Sequence, residues 1–350
     1  MKAIMRSRLF WPSVSLLALL TITAIKEPRF LKLTLQDGEL YGPLVIILRD
    51  SAPLMLVALG MTIVIATRGI DLSVGAIMAV SGAVALTIID KSDTPDGWAT
   101  VMVAVVVAVL VALVLGVWNG FLVSVVGIQP IIATLVLMLA GRGVALLITE
   151  GQITTVNSVP YQFFASGYLF LLPFAFFVWL VAVTVVALIE RRTALGVLTE
   201  SVGINPEASR LAGVRSRGII WSAYIASGIL AGIAGIIASS DIKAADANSA
   251  GLFIELYAIL AVVLGGTSLM GGKFTIVGTV IGVLIVTTLD ATVVWFGVAP
   301  AQKPVFFAVV VVIVVLFQSR RVHGWGRNIG AMVRKQPADT DTDIEVKVTS

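Results

Sequence analysis

The sequence predicts an all-α protein that crosses a membrane about ten times. Of its 350 residues, 58% are hydrophobic and 13% are charged, and its mean hydropathy is +1.04. A soluble domain is typically about 45–50% apolar and about 25% charged. The chain also repeats uninterrupted apolar runs such as residues 100–126 and 167–189. Because about 20 apolar residues cross the hydrocarbon layer as a helix, we expect a polytopic integral membrane protein.

The apolar runs define the predicted spans. In chain order they cover residues 9–25, 51–67, 74–89, 101–125, 130–148, 167–189, 218–238, 255–270, 274–296 and 302–317. The run at 255–270 is short, so a re-entrant segment is the alternative there. No small-residue cleavage site follows the first run, which we therefore interpret as an uncleaved helix. Residues 1–332 form one transmembrane domain, and the polar tail 333–350 is expected to be disordered in the cytoplasm.

Lysine and arginine indicate which ends face the cytoplasm, because positive residues collect in the loops that stay there. With an even number of spans, both termini are cytoplasmic. The basic segments on that side are residues 6–8, 191–192, 210–217, 273 and 319–321. Lys26, Arg29 and Lys32 fall on the outer side and weaken this asymmetry without reversing it. The net charge of +4 is therefore a sign of membrane topology, and no nucleic-acid partner is expected.

Several kinds of chemistry are poorly supported by the composition. The chain has no cysteine, which removes disulfides, thiolate metal ligands and thiol nucleophiles, and its one histidine lies in the basic tail. We expect no metal site. The stretch GGKFT at 271–275 lacks the first glycine of a phosphate-binding loop and the Ser or Thr after its lysine. If ATP drives transport here, another polypeptide hydrolyses it.

The largest polar interruption, residues 191–217, contains the parts of one short helix. Asn205 is placed as its N-cap, Pro206 as its first residue, Glu207 in its first turn and Gly213 as its stop. Such a short helix is marginal in water, because isolated helices need roughly 12–15 residues. It therefore packs either against the ends of the protein's own membrane helices or against a cytoplasmic partner, and both interpretations stay open.

Polar side chains within membrane spans cost free energy, so they usually face a pathway or pair with neighbouring helices. The candidates are Asn119, Gln129, Thr134, Arg142 and Glu255. Each has the alternative of a local hydrogen bond between packed helices. Arg142 lies between Gly141 and Gly143, which allow a backbone or a ligand to come close. The small residues of SGILAGIAGIIASS indicate tight helix packing.

The stretch TRGIDLSVG at 67–75 separates two apolar runs. Asp71 suits the N-cap of a helix beginning at Leu72, and Arg68 is spaced to form a salt bridge with Asp71. One reading is a charged cytoplasmic turn between two spans. The other is a broken helix inside the membrane, whose free backbone groups line a cavity.

Four segments resemble the membrane permeases of bacterial ABC sugar importers of the ribose, xylose, arabinose and galactose type. They are GIDLSVGA at 69–76, QPIIATLVLMLAGRGVA at 129–145, GVLTESVGINPEASRLAGV at 196–214 and ADANSAGLFIELYAILAVVLGGTSLMGG at 245–272. LQDGELYG at 35–42 and AADANSAGL at 244–252 most resemble the galactofuranose permeases. The resemblance implies a type II importer-like permease in the bacterial inner membrane.

The resemblance also implies partners and residue roles. A periplasmic protein would deliver the sugar, a second permease would complete the pathway, and a cytoplasmic ATPase with two nucleotide domains would use ATP and Mg. Residues Glu200–Val214 would form the helix that docks into the ATPase. The implied coupling residues are Gly196, Glu200, Gly203, Asn205, Glu207 and Gly213. The motif glycines are Gly69, Gly75, Gly265, Gly266, Gly271 and Gly272, and the path candidates are Asp71, Asn119, Gln129, Thr134, Arg142 and Glu255.

Two residues depart from the family pattern. Arg68 stands where the family has glycine, and Tyr257 stands where it has aspartate, so neither inherits a role. Other functions remain open as well. An ion-driven transporter would use Asp71, Glu255 and Asp290 as ion ligands, and a permease of the same class would carry another solute such as an autoinducer. A membrane-bound enzyme has the weakest support.

Overall fold

The computed structural model describes residues 9–299 and, beyond them, residues 302, 305, 308, 309, 311 and 312. Residues 9–299 belong to one compact unit, which contains all the elements below. Its helices are α1 (Phe10–Lys26), α2 (Pro43–Ala66), α3 (Val74–Asp90), α4 (Trp98–Phe121), α5 (Pro130–Ile148), α6 (Val159–Ser166), α7 (Phe174–Arg192), α8 (Leu195–Ile204), α9 (Pro206–Leu211), α10 (Ser216–Ile242), α11 (Ile254–Leu264) and α12 (Ile276–Trp295). Most of the predicted span 302–317 and the whole tail 333–350 lie outside the described residues.

Three short two-stranded ladders, two of them hairpins, lie between the described helices. They pair β1 (Thr34–Gln36) with β2 (Glu39–Tyr41), β3 (Thr154–Thr155) with β6 (Ala244–Ala245), and β4 (Tyr168–Leu169) with β5 (Leu172–Pro173), all antiparallel. The β3–β6 ladder ties the chain after α5 to the chain after α10. The two hairpins also meet, because the Leu40 amide donates to the Leu171 carbonyl over 3.0 Å.

Six helices among the described residues are long and apolar enough to cross a membrane. They are α2, α4 with the π-turn that continues it to Val126, α5, α7, α10 and α12. Four shorter apolar helices, α1, α3, α8 and α11, have 10–17 residues. The all-α membrane fold is confirmed, and the figure of about ten spans stays a prediction.

Two predicted spans were wrong at an end. Helix α2 begins at Pro43 rather than at residue 51, so the ion pair of Arg49 and Asp50 (2.8 Å) lies within its first two turns. The predicted span 167–189 begins instead at Phe174, because residues 168–173 form the β4–β5 hairpin. Sequence hydropathy does not separate an apolar hairpin from the helix that follows it.

The predicted span 255–270 is helical only over α11, which has 11 residues. At 1.5 Å per residue that is about 16 Å, roughly half of the hydrocarbon layer. The glycine-rich chain from Gly265 to Thr275 then leads to α12. Helix α11 alone is therefore too short for a full span, and the chain after it reaches the end of α2, where the Gly272 amide donates to the Ala66 carbonyl.

Helix α10 forms the centre of the bundle and packs against α2, α3, α4 and α6. Small residues allow these contacts. A Cβ on Gly60 would lie 2.8 Å from the Cα of Ser227, and a Cβ on Gly235 would lie 2.4 Å from the Met78 carbonyl oxygen. Hydroxyl groups add hydrogen bonds across the packed helices, as between Thr62 and Thr279 (2.7 Å).

We expect Gly228→Ala to destabilise the bundle. Its new Cβ would lie 2.8 Å from both the Ala112 carbonyl oxygen and the Gly116 Cα, so α10 and α4 must separate, at a cost of about 1–3 kcal/mol. The measurement is the apparent melting temperature of the purified protein in detergent. Gly218→Ala is the control on the same helix, where a Cβ meets nothing within 4 Å. Equal melting temperatures for the two variants would contradict this role of Gly228.

Candidate functional site

The polar segment after α7 forms two short helices, α8 and α9. The Asn205 side chain accepts hydrogen bonds from the amides of Glu207 (3.1 Å) and Ala208 (3.0 Å), and Pro206 is the first residue of α9. This confirms the predicted cap. The expectation of one docking helix over Glu200–Val214 was wrong, because α8 ends at Ile204 and the capping residue breaks the segment in two.

Both short helices rest on the chain's own spans. A Cβ on Gly203 would lie 1.8 Å from the Ala66 carbonyl oxygen, so α8 touches the end of α2 through backbone. A Cβ on Gly196 would likewise lie 2.3 Å from the Glu190 carbonyl oxygen. The Ser216 hydroxyl donates to the Pro206 carbonyl over 2.9 Å and ties α9 to α10. Gly203 and Gly196 thus fit close packing within the chain.

The opposite side of the segment is exposed and partly apolar. Val197 is 70% exposed, Ile204 is 62% exposed and Leu211 is 83% exposed. Asn205 and Glu207 are exposed beside them, and Glu200 is partly buried. Arg210 forms an ion pair with Glu207 at 2.7 Å, and Gly213 ends α9 at a φ of +87°. The segment after α7 thus exposes three aliphatic side chains among polar ones.

The chain between α2 and α3 turns inside the bundle, and its centre is a buried carboxylate. Asp71 accepts hydrogen bonds from the Ser73 amide (3.0 Å) and hydroxyl (2.6 Å), and from the Ser227 hydroxyl (2.8 Å). Asp71 is fully buried. Ser227 lies eleven residues into α10, or about 16 Å along that helix. Helix α3 begins at Val74, where the predicted span 74–89 begins, but the expectation of Asp71 as the N-cap of a helix from Leu72 was wrong, because the N-cap is Ser73.

The predicted salt bridge between Arg68 and Asp71 was wrong. Arg68 has a φ of +68° and is exposed, and its Nε donates to the Met270 carbonyl over 3.2 Å. The left-handed backbone turns its side chain away from Asp71 and towards the glycine-rich chain before α12. That chain is also bonded here, through the Gly272 amide and the Ala66 carbonyl (3.0 Å).

Three predicted path residues belong to the Asp71 region. Asn119 is fully buried and donates to the Ser73 hydroxyl over 2.7 Å, while its Oδ1 accepts no hydrogen bond from the described residues. Thr134 is buried and bonds the Ile70 carbonyl over 3.3 Å. Asp71, Asn119 and Thr134 are therefore brought together around one turn. Within the described chain they face helices rather than an open cavity.

The other three path residues lie apart from that turn. Gln129 is exposed at the start of α5. The Nη1 atom of Arg142 donates to the carbonyls of Ala247 (2.9 Å), Asn248 (3.3 Å) and Ala250 (2.8 Å). Glu255 is 3% exposed in the first turn of α11, where its Oε2 lies 2.8 Å from the position of a Cβ on Gly75. Residues 142, 246–255 and 75 thus form a second polar region.

The motif glycines mark close approaches or turns. A Cβ on Gly69 would meet the Tyr224 hydroxyl, and one on Gly265 would meet the Gly278 carbonyl oxygen. The remaining motif glycines behave in the same way: Gly75 faces the Gly251 carbonyl, and Gly266, Gly271 and Gly272 have positive φ.

Sequence reasoning missed Ser73, Ser227 and Tyr224. Ser227 lies in a run of small residues that predicts packing alone, and no sequence signal separates a packing serine from one that binds a carboxylate.

No group of three or more His, Asp or Glu side chains capable of holding a metal occurs within the described part of the chain.

Comparisons with known proteins identify the family of the chain. A family model described as the permease component of a branched-chain amino acid transport system matches residues 44–315. The chain belongs to this permease family. It is thus a membrane transport subunit.

Curated relatives of the permease include three that are similar over most of its length. It is 45% identical over 321 residues to the galactofuranose transporter permease protein of Escherichia coli (strain K12), covering 90% of this chain and 92% of the relative. It is 41% identical over 334 residues to the fructose import permease protein of Bifidobacterium longum (strain NCC 2705), covering 94% and 92%. It is 36% identical over 314 residues to the ribose import permease protein of Bacillus subtilis (strain 168), covering 89% and 92%. No solved structure matches the permease.

We expect Ser227→Ala to lower the stability of the permease by about 1–3 kcal/mol, because it removes the one described donor to Asp71 Oδ2 in a buried site. Ser222→Ala is the matched control on α10, since Ser222 is exposed and bonds only the Ile219 carbonyl of its own helix. Thermal unfolding in detergent measures both. Arg68→Ala should leave the melting temperature near that of the unaltered chain, and a loss as large as that of Ser227→Ala would contradict the assigned network.

Proposed function

We propose that the permease is the membrane subunit of an ATP-driven importer that carries a monosaccharide across the bacterial inner membrane. The observation that carries the proposal is the similarity to galactofuranose, fructose and ribose permeases over about nine-tenths of the chain. The family description names branched-chain amino acids. We favour a sugar because these three relatives all have sugar names, and galactofuranose because that relative has the highest identity of the three.

The surface formed by Val197, Ile204 and Leu211 supports a cytoplasmic ATPase partner. These three aliphatic side chains are exposed on helices whose other sides rest on α2 and α10. A pair of helices that is anchored to the membrane helices and exposes aliphatic side chains suits a docking site that transmits a movement from a partner to those helices. In this proposal the ATPase has two nucleotide domains and uses ATP and Mg, while Glu200, Asn205 and Glu207 contact it at the rim.

The remaining partners follow from the same proposal. A periplasmic protein delivers the sugar, and a second permease, identical or related, completes the pathway. Both termini are cytoplasmic, in keeping with the basic residues at 191–192 and 210–217. Sugar-path roles are proposed for Arg142, Gln129 and Glu255, which lie outside the buried turn. Asp71, Asn119 and Thr134 reach the path only if α3 moves relative to α10.

An ion-driven transporter is the second candidate, because Asp71 and Glu255 are acidic residues buried in the bundle. Against it, the described donors to Asp71 are the Ser73 and Ser227 groups, which already occupy both carboxylate oxygens. Uptake into vesicles decides between the two. An importer of the proposed kind requires ATP on the cytoplasmic side and continues when the ion gradients are dissipated, whereas the alternative has the reverse dependence.

We expect Leu211→Asp to release the ATPase that co-purifies with the permease from native membranes. A carboxylate at an interface core loses its hydration without gaining a partner, and hot-spot substitutions typically cost about 2 kcal/mol or more, equivalent to about 30-fold in affinity. Quantitative mass spectrometry of the purified complex measures the retained ATPase.

Val159→Asp is the matched control for that experiment. Val159 is 73% exposed on α6, whose Tyr161 bonds Ser239 near the end of α10, whereas α9 is bonded to Ser216 at the start of α10. This variant should retain the ATPase. Equal retention by Leu211→Asp and the unaltered chain would remove α9 from the docking surface, and the absence of any ATPase from gently purified unaltered permease would contradict the proposed importer.

A further inference from the structure

The segment Asp246–Phe253, between β6 and α11, is an irregular chain that runs back into the bundle. At its start, Ala245 and Ala247 pack with Leu86 and Ile89 in the second half of α3. At its end, Gly251 lies against Gly75 in the first turn of α3, where a Cβ on Gly75 would be 2.4 Å from the Gly251 carbonyl oxygen. The segment therefore descends along α3, and we name it the re-entrant loop.

Arg142 supplies much of the backbone bonding of the re-entrant loop. Its Nη1 atom donates hydrogen bonds to three carbonyl oxygens of the loop, at 2.8–3.3 Å. Asp246 accepts hydrogen bonds from the amides of Asn248 (2.9 Å) and Ser249 (3.4 Å) and from the Ser249 hydroxyl (2.6 Å). Irregular backbone at membrane depth persists only where it is buried in protein or lines a water-filled cavity.

One side of the re-entrant loop is not covered by the described chain. Asn248 and Ser249 are exposed, and so is Phe253, at 53%. Arg142 is partly exposed, and its Nε and Nη2 atoms donate no hydrogen bond within residues 9–299. Hydrocarbon against this side would leave the Asn248 amide and the Nε and Nη2 groups of Arg142 without partners, which costs several kcal/mol. Water is the environment that satisfies them.

We propose that the re-entrant loop and Arg142 form a water-facing wall of the sugar pathway, where Arg142 Nε and Nη2 and the Asn248 side chain hydrogen-bond hydroxyl groups of the passing sugar. The inference rests on the proposed import of a sugar. A polyhydroxyl solute needs donors and acceptors along its path, and it needs few enough of them at each point to be released. A guanidinium held by backbone carbonyls is pre-positioned for such brief contacts.

Single-cysteine labelling tests the wall, because the chain has no cysteine of its own. The permease carrying Ser249→Cys is purified with its co-purifying partners, returned to lipid vesicles and treated with a charged, membrane-impermeant thiol reagent. Gln152→Cys, in an exposed loop, is the aqueous control. Val181→Cys, 60% exposed on the largely uncovered helix α7, is the lipid-facing control.

We expect Ser249→Cys to react within about tenfold of Gln152→Cys and about 100-fold faster than Val181→Cys, because the reactive thiolate forms in water and not in hydrocarbon. The proposed wall would be overturned if the logarithm of the labelling rate of Ser249→Cys were closer to that of Val181→Cys than to that of Gln152→Cys. The labelling rate is measured without ATP. ATPase retention in the same sample reports separately on the proposed importer.

Asn248→Ala tests the contact with sugar, since this exposed side chain makes no hydrogen bond with the described residues. In vesicles with the ATPase retained, the probe is uptake of radiolabelled galactofuranose, with ribose and fructose in parallel. We expect the half-saturating sugar concentration or the maximal rate to change by about threefold to tenfold, the loss of one hydrogen bond. Unchanged uptake of every sugar transported by the unaltered complex would overturn the contact while leaving the importer intact.

Discussion

The structure depends on one constraint, which is that every backbone group freed by a helix break inside the bundle needs a hydrogen-bond partner from protein or water. At the break after α2, Asp71 and the Ala66 carbonyl bind the amides of Ser73 and Gly272. At the break before α11, Arg142 and Asp246 hold the re-entrant loop. Asp71 and Asp246 thus lie at these two breaks, and Arg142 reaches the second break from within α5.

The same constraint explains why small residues accompany the charged ones. A side chain reaches the backbone of another segment only if the two segments approach closely, and glycine removes the atoms that would keep them apart. Gly75 and Gly251 meet backbone to backbone, and Gly203 meets Ala66 in the same way. Close packing around α10 and polar bonding at the breaks are therefore two parts of one arrangement.

The sequence predicts many features of this arrangement, and each feature that it fails to predict has a physical reason. Apolar runs give the spans because hydropathy reports burial in lipid, and Asn205 gives a helix start because capping is local. The salt bridge of Arg68 with Asp71 failed because spacing says nothing about a left-handed φ at Arg68. Ser227 was missed because its role depends on a residue 156 positions away. Local signals predict local structure, and the site is built from distant contacts.

The contacts around Ala66 give the proposed coupling a route through the fold. Its carbonyl oxygen accepts from the Gly272 amide, and it lies against Gly203 of α8. A displacement of α8 by a docked ATPase therefore acts first on the end of α2 and on the glycine-rich chain that leads to α12. Both lie next to helix breaks, where fewer hydrogen bonds resist movement than within a continuous helix. Because α3 begins at one break and meets the re-entrant loop through Gly75, the same displacement is passed to the wall that Arg142 supports.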